Sequence, residues 1–318
     1  MPLLDSTYRA SVFFQNGHVS TIFPTLFRRV PAVTYERTRL ELADGDFLDL
    51  DWLRDGRRKL AIIAHGLESD SSAKYMRGMA LALAHRGFDA LCWNHRGCSG
   101  EPNRLPRSYH SGVSEDLRAV VDHSLSFDYQ SLALVGFSLG GNITLKYLGE
   151  EGEKADPRLR AAVTFSVPCD LASSSRELAK SANGIYMRRF IKGLSAKVRE
   201  KKERFPELGS LGDLKGLRSF RDFDERFTAP LNGFSGAEDY WEKASSKPFL
   251  DRIRVPTLLV NACDDPFLAP PCFPQESARR SAFFHLETPT HGGHTGFPSG
   301  QREYWSETRC AAFLSEWL

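Results

Sequence analysis

Short apolar runs alternate with amphipathic segments along most of the chain. The apolar runs are typical of buried strands, and segments with apolar residues every three to four positions are typical of helices. The predicted strands cover residues 60–64, 88–93, 131–136, 160–166, 256–262 and 281–287. Helices are predicted between them, for example at 75–85, 113–124 and 303–317. This alternation predicts a mostly parallel sheet with helices on both faces.

A hairpin and a long insertion depart from the alternation. Residues 37–42 and 47–53 flank the turn sequence Ala43-Asp44-Gly45-Asp46, which predicts an opening β-hairpin. Residues 169–247 carry no strand signal and lie between two predicted strands, as expected of a lid over the edge of a sheet. We therefore divide the chain into an N-terminal arm at 1–33, a core at 34–168 and 248–318, and a helical lid at 169–247.

The predicted lid contains a charge run at 197–204 and many apolar residues. The charge run predicts a solvated helix face, with an anionic-lipid site as the alternative. Some of the apolar residues are expected to line an acyl pocket and the rest to form the core of the lid. They are Ile185, Tyr186, Met187, Phe190, Ile191, Phe223, Phe227, Phe234 and Trp241.

The N-terminal arm carries two short apolar runs, at 12–14 and 22–27, separated by Gln15-Asn16-Gly17-His18. Neither run approaches the roughly 20 residues needed to span a bilayer. We expect the arm to pack over the core, with contact at a membrane surface as the alternative.

A serine stands between two glycines at the end of the predicted strand 131–136, in the sequence Gly136-Phe137-Ser138-Leu139-Gly140. This G-x-S-x-G pattern is typical of a nucleophile on a sharp strand-to-helix turn, where glycines leave room for the backbone. The helix that follows directs its free amides at charge developing beside the serine. Ser138 is therefore the candidate nucleophile, although a Gly-rich turn with a capping serine produces the same pattern.

A nucleophilic serine needs a base and a carboxylate that orients the base. Asp264 and Asp265 follow the strand at 256–262, on the carboxyl edge where open α/β sheets place their chemistry. Adjacent residues of an extended segment point to opposite sides, so only one aspartate faces the base. We favour Asp265, which immediately precedes the turn-forming Pro266.

The base is expected in the glycine-rich loop after the strand at 281–287, which holds His291 and His294. We favour His294 because Gly292, Gly293 and Gly296 around it let the loop approach the serine. The histidines and the paired aspartates also suggest a metal site. However, this H-x-x-H sequence lacks the helical i, i+4 spacing of a zinc motif, so we predict no metal and no cofactor.

Two backbone amides are expected to stabilise an oxyanion. Leu139 follows the candidate nucleophile and supplies one amide, and Leu67 follows the buried strand at 60–64 and supplies the other. His65 is interpreted as a loop-organising residue rather than a second base.

Several motifs carry a resemblance to a known family. They are Asn16-Gly17-His18 with Thr21-Ile22, His65-Gly66-Leu67-Glu68, Asn94-His95-Arg96-Gly97-Cys98-Ser99, the serine turn, Asn261-Ala262-Cys263-Asp264-Asp265-Pro266-Phe267 and Gly292-Gly293-His294-Thr295-Gly296-Phe297. Over nearly its whole length the chain resembles the α/β-hydrolases, and its motifs are similar to those of the bacterial YheT-like esterase branch, which is related to membrane-anchored eukaryotic phospholipases and esterases. It departs from that branch at Asp239-Tyr240-Trp241, where the branch tends to have paired tyrosines.

Composition bears on which partners the protein binds and on the cell compartment in which it resides. Lys plus Arg number 42 and Asp plus Glu number 40, so there is no basic field for a nucleic acid. The six cysteines show no C-x-x-C spacing, and no basic region with an apolar run opens the chain. Both features favour the cytoplasm, without a transmembrane segment.

The sequence thus predicts an α/β-hydrolase fold and a serine esterase with the triad Ser138, Asp265 and His294, acting on small acyl esters of short to medium chain length. Lipase, phospholipase and thioesterase activities remain alternatives within the enzymes. A ligand-binding protein that keeps the fold without catalysis is the alternative from another class.

Overall fold

The computed structural model describes residues 2–318 and is built on a nine-stranded sheet. Its strands are β1 (Leu3–Leu4), β2 (Glu36–Glu41), β3 (Phe47–Leu53), β4 (Lys59–Ala64), β5 (Phe88–Trp93), β6 (Ser131–Phe137), β7 (Leu159–Phe165), β8 (Thr257–Val260) and β9 (Phe284–Glu287). They are ordered β1-β9-β8-β7-β6-β4-β5-β3-β2 across the sheet. Only the pairs β2 with β3 and β3 with β5 are antiparallel among these strands.

Eleven α-helices connect and cover the strands of the described chain. They are α1 (Gly17–Phe27), α2 (Lys74–Ala84), α3 (Ser114–Leu125), α4 (Leu139–Glu151), α5 (Leu171–Leu178), α6 (Gly184–Arg204), α7 (Phe220–Phe223), α8 (Ala229–Leu231), α9 (Ala237–Ala244), α10 (Gln275–Arg280) and α11 (Trp305–Leu314). A π-helical turn, Asp224–Thr228, joins α7 to α8. No helix within residues 2–318 has the length and apolar character needed to cross a membrane.

Hydrophobic clusters cover both faces of the sheet. Along β4, Leu60 and Ile62 belong to one cluster, whereas Ala61 and Ile63 belong to another. Successive side chains of a strand point to opposite faces, so β4 is buried on both sides. This is why the central parallel strands appear in the sequence as continuous apolar runs rather than as alternating ones.

The predicted hairpin and all six predicted core strands are confirmed. The last two predicted strands are shorter than expected, because β8 covers only Thr257–Val260 and β9 begins at Phe284 rather than at residue 281. The Ser281 hydroxyl accepts the amide hydrogens of Phe283 and Phe284, which forms a turn before the strand. Strand β1 was not predicted, since two residues are too few to show a pattern.

Residues 169–247 form α5 to α9 and contain no strand, all of them being described. The prediction of a solvated face for the charge run at 197–204 is wrong for two of its lysines. Lys201 is buried, and its ammonium group donates to Asn103 Oδ1 at 2.7 Å. Lys197 pairs with Glu68 of the core. The run therefore fastens α6 to the core instead of facing water along its whole length.

Candidate active site

Ser138 lies on a strained turn between β6 and α4. Its φ is 52° and its ψ is −119°, a conformation that non-glycine residues rarely adopt. A Cβ on Gly136 would lie 2.6 Å from Gly141 Cα, and one on Gly140 would lie 2.5 Å from the Ala64 oxygen. Neither position tolerates a side chain, which explains the glycines on either side of the serine.

The structure brings Ser138, His294 and Asp265 into one line of hydrogen bonds. His294 Nε2 lies 2.9 Å from Ser138 Oγ. On the other side of the ring, His294 Nδ1 lies 3.1 Å and 2.9 Å from the two carboxylate oxygens of Asp265. Asp265 also accepts the Phe267 amide at 2.9 Å, and its side chain is fully buried. A base between a hydroxyl and a buried carboxylate is the arrangement that activates a serine.

Asp264 and His291, the two candidates that the sequence did not favour, contact each other instead of the serine. Asp264 accepts the Gly293 amide at 2.9 Å and lies 3.3 Å from His291 Nδ1. Burial raises the pKa of the Asp264 carboxyl, against the effect of these hydrogen bonds. Among residues 2–318, no three His, Cys, Asp or Glu side chains are grouped to hold a metal ion.

The N-terminal arm holds the histidine loop in place, a role that sequence reasoning missed. The His294 amide donates to Thr21 Oγ1 at 2.9 Å, and Thr21 donates in turn to the Gly17 oxygen at 2.6 Å. Gly293 has a φ of 61°, and a Cβ there would lie 2.5 Å from the Gly17 oxygen. Thr21 stands in one of the recognised motifs, but nothing local to it indicates contact with a loop more than 270 residues later.

Leu67 and Leu139, the residues of the two expected oxyanion amides, both line the cavity that holds Ser138. A Cβ on Gly66 would lie 3.2 Å from Ser138 Cβ, so the backbone leading to Leu67 passes beside the serine. Within residues 2–318, neither the Leu67 nor the Leu139 amide donates a hydrogen bond to another group. Both remain free to bind a negatively charged oxygen.

Glu68 fixes the loop that carries Leu67. It has a φ of 51°, and its amide donates to the Tyr109 hydroxyl at 3.0 Å. The Tyr109 hydroxyl donates to Glu68 Oε1 at 2.6 Å, and Lys197 Nζ of α6 lies 3.0 Å from the same oxygen. The insertion thus reaches the oxyanion loop through one ion pair.

His65 organises this loop from beneath, as the sequence predicted. Its Nδ1 lies 2.8 Å from the Gly66 oxygen, and its Nε2 accepts the His95 amide at 3.2 Å. Burial lowers the pKa of His65 to about 3, so the ring is neutral and Nδ1 carries its proton.

A cavity of about 100 Å³ lies over Ser138, and the insertion supplies much of its wall. Of the apolar residues expected there, Phe190 and Trp241 line it. The other seven do not line it, but the expectation is wrong only for Ile185, because the rest pack within the insertion as expected for part of the set. Ile185 is exposed, Phe234 packs on Tyr240, and the remaining five belong to the hydrophobic core of the insertion: Tyr186, Met187, Ile191, Phe223 and Phe227. The remaining apolar lining from the insertion comes from Leu171, Leu178, Leu194 and Phe220.

Asp224 is the one acidic residue among the described residues that line this cavity, and no sequence motif indicates it. It accepts Thr228 Oγ1 at 2.6 Å and Trp241 Nε1 at 2.8 Å, and it makes no salt bridge within residues 2–318. Burial raises the pKa of its carboxyl to about 6. Asp224 begins the π-helical turn, an irregularity that is frequent at functional sites.

Comparisons with known proteins identify the family of the chain. The family described as alpha/beta hydrolase fold matches residues 61–298. The chain is 36% identical over 316 residues to YheT of Escherichia coli (strain K12), which is named as an esterase; the match covers 96% of this chain and 92% of that protein. It is 30% identical over 311 residues to human phospholipase ABHD3, covering 94% of this chain and 75% of that protein.

Solved structures show the same fold. The Pyrococcus furiosus esterase Pf2001 superposes with a TM-score of 0.60 at 18% sequence identity, covering 91% of this chain and 96% of that chain.

Proposed function

Because the chain belongs to the α/β-hydrolase family, in the branch of the bacterial esterase YheT, we propose that it is a serine hydrolase of carboxylic esters. The observation that carries this proposal is the continuous line from Ser138 Oγ through His294 to Asp265, with contacts of 2.9 Å on each side of the imidazole. The free amides of Leu67 and Leu139 in the same cavity support it.

In the proposed mechanism, Ser138 Oγ attacks the acyl carbon while His294 Nε2 takes its proton. Asp265 accepts a hydrogen bond from Nδ1. This bond holds the ring in the required tautomer and stabilises the imidazolium. The Leu67 and Leu139 amides bind the oxyanion of the tetrahedral intermediate. His294 then returns the proton to the departing alcohol, and water hydrolyses the acyl-enzyme by the same steps.

The cavity supports a short to medium acyl chain. Its volume of about 100 Å³ is smaller than the roughly 150 Å³ of an apolar cavity that holds benzene. Phe190, Leu194 and Phe220 give it an apolar wall. A carboxylesterase therefore fits better than an enzyme that encloses a long chain.

Phospholipase or lipase action is the second candidate. Two observations favour it: the similarity to phospholipase ABHD3, and the apolar side chains that the N-terminal arm exposes near the site. A thioesterase would use the same mechanism, with a thiol instead of an alcohol as the leaving group. A non-catalytic binding protein is disfavoured, because it would not need a serine in a strained conformation beside a free base.

We also propose a role for each of the three parts of the chain, the lid, the arm and the core. Residues 169–247 act as a lid, because α5, α6 and α9 contribute side chains to the cavity wall. Residues 1–33 act as an arm that supports the histidine loop through Thr21. The core at 34–168 and 248–318 carries the three triad residues.

The test is hydrolysis of p-nitrophenyl acetate, butyrate and octanoate and of a diacyl phospholipid. The wild-type protein is expected to cleave the short esters fastest. Ser138→Ala is expected to lose activity by several orders of magnitude, whereas Ser315→Ala, at an exposed serine beyond α11, keeps it. Wild-type rates in correctly folded Ser138→Ala would refute the proposal, and a preference for the phospholipid would select the second candidate.

A further inference from the structure

The N-terminal arm exposes large apolar side chains to solvent. Val12 is 85% exposed, Phe13 63%, Leu26 60% and Phe27 64%. Phe13 and Phe27 are connected by the rings of Phe14 and Phe23, with centroids 5.0 to 5.9 Å apart along the series. These four rings form one connected series, and we call them, with the exposed neighbours Val12 and Leu26, the arm patch. Soluble monomers seldom expose continuous apolar patches without a binding role.

The start of α6 adjoins α1 and exposes a further apolar side chain. Ile185 is 60% exposed. The next residue, Tyr186, stacks on His18 of α1 with ring centroids 5.8 Å apart, and its hydroxyl lies 3.1 Å from His18 Nδ1. The arm patch and the start of α6 therefore belong to two elements in direct contact.

The charges of these two segments are strongly one-sided, although the whole chain is nearly neutral. Residues 6–35 contain three arginines and no acidic residue, and residues 178–199 contain six basic residues and no acidic one. Within α6, Arg188, Arg189 and Lys192 are exposed and make no salt bridge within residues 2–318. With Ile185 they follow the i, i+3, i+4, i+7 spacing and so share one face of α6. Exposed apolar side chains together with unpaired cations are typical of proteins that lie on anionic lipid.

This surface lies close to the chemistry, because α1 contacts the catalytic loop directly. Thr21 binds the His294 amide, and Ile22 packs against the cluster that contains Tyr186 and Phe267. Phe267 also lines the cavity over Ser138. The helix that carries part of the arm patch is thus in contact with residues that position the catalytic loop or line the cavity.

We propose that the arm patch and the exposed cations of α6 dock the protein on an anionic lipid surface, with the aromatic side chains entering the interface and Arg188, Arg189 and Lys192 facing lipid phosphates. This goes beyond the proposed ester hydrolysis and does not depend on it. A second copy of the chain fits the surface less well. A two-fold symmetric contact through the patch would bring these cations towards their own symmetry mates.

The experiment is flotation of the full chain with vesicles of phosphatidylcholine alone and of phosphatidylcholine mixed with phosphatidylglycerol. The wild-type protein is expected to bind the anionic vesicles, and to be released by high salt because exposed charges are screened. Phe13→Ser/Phe27→Ser and Arg188→Gln/Arg189→Gln are each expected to bind at least tenfold more weakly. The matched controls are Phe283→Ser, at an exposed phenylalanine outside both segments, and Arg279→Gln/Arg280→Gln on α10.

Hydrolysis of p-nitrophenyl acetate without vesicles reports on ester hydrolysis separately and should be unchanged in all four variants. Docking is overturned if the wild-type protein binds both vesicle types equally or neither. It is also overturned if the patch variants bind like the controls, or if sedimentation shows a dimer that the Phe13→Ser/Phe27→Ser variant dissociates.

Discussion

His294 Nδ1 lies 2.9 Å from Asp265 Oδ2, whereas the neighbouring Asp264 is directed to His291 and the Gly293 amide. Asp265→Asn keeps the side-chain shape but removes the charge that holds the imidazole, so we expect kcat to fall about 10³- to 10⁴-fold. Asp264→Asn, the matched control, should cost less than about tenfold, because it changes only the support of the loop. Steady-state kinetics on one ester distinguishes them, and the reverse ranking would move the acid to Asp264.

Thr21 offers a test of how the arm supports the base. Thr21→Val removes the acceptor of the His294 amide without changing side-chain volume much, and the loss of one such bond is expected to lower kcat about tenfold. Thr25→Val is the control, since Thr25 is exposed on the same helix and lies one turn farther along. If the two variants show the same kcat, the arm does not position the histidine.

Phe190 tests whether the insertion contacts the acyl chain. Phe190→Ser should lower kcat/KM more for octanoate than for acetate esters, because each methylene buried contributes at most about 0.8 kcal/mol, or about fourfold in rate. Ile185→Ser, at an exposed position on the same helix, should leave kcat/KM for these soluble esters unchanged. An equal loss at every chain length in Phe190→Ser would place the acyl chain elsewhere.

Asp224 gives a pH dependence of stability with a definite sign. Its pKa rises from 3.8 to about 6 on folding, so between these values the folded state holds a proton that the unfolded state has released. The contribution of Asp224 to the free energy of unfolding is therefore fully present below about pH 4 and is lost as the pH rises through about 6. The free energy of unfolding lost over this pH range is about 3 kcal/mol.

Urea unfolding at several pH values tests this against Asp224→Asn, which keeps the shape but does not titrate. The free energy of unfolding of the wild-type protein, relative to Asp224→Asn, should fall between pH 4 and 6 and then level. A difference independent of pH would show that Asp224 does not titrate in this range.

The sequence was sufficient for features that depend on neighbouring residues. The strands appear as apolar runs because they are buried on both faces, and the serine turn appears because its glycines lie two residues on either side of Ser138. The aspartate and histidine loops were also predicted, because each directly follows a predicted strand of the sheet. These features follow from local backbone chemistry and from the alternation of strands and helices.

Features that depend on the approach of distant segments could not be predicted. Phe190 and Phe227 are both phenylalanines of the insertion, yet only Phe190 lines the cavity, because the packing of α6 and the π-helical turn decides which side chain turns inward. Lys197 looked like part of a solvated face because its partner Glu68 lies more than 120 residues earlier. Asp224 carries no motif and is distinguished only by its burial.

Covalent labelling with a fluorophosphonate probe, which reacts only with an activated serine, tests directly whether Ser138 is the nucleophile. Mass spectrometry of the labelled wild-type protein is expected to show one phosphonyl group, located on Ser138. Ser138→Ala should not be labelled, and His294→Ala should be labelled far more slowly because the serine proton has no acceptor. If folded wild-type protein does not react, or if the label is on any residue other than Ser138, then Ser138 is not an activated nucleophile.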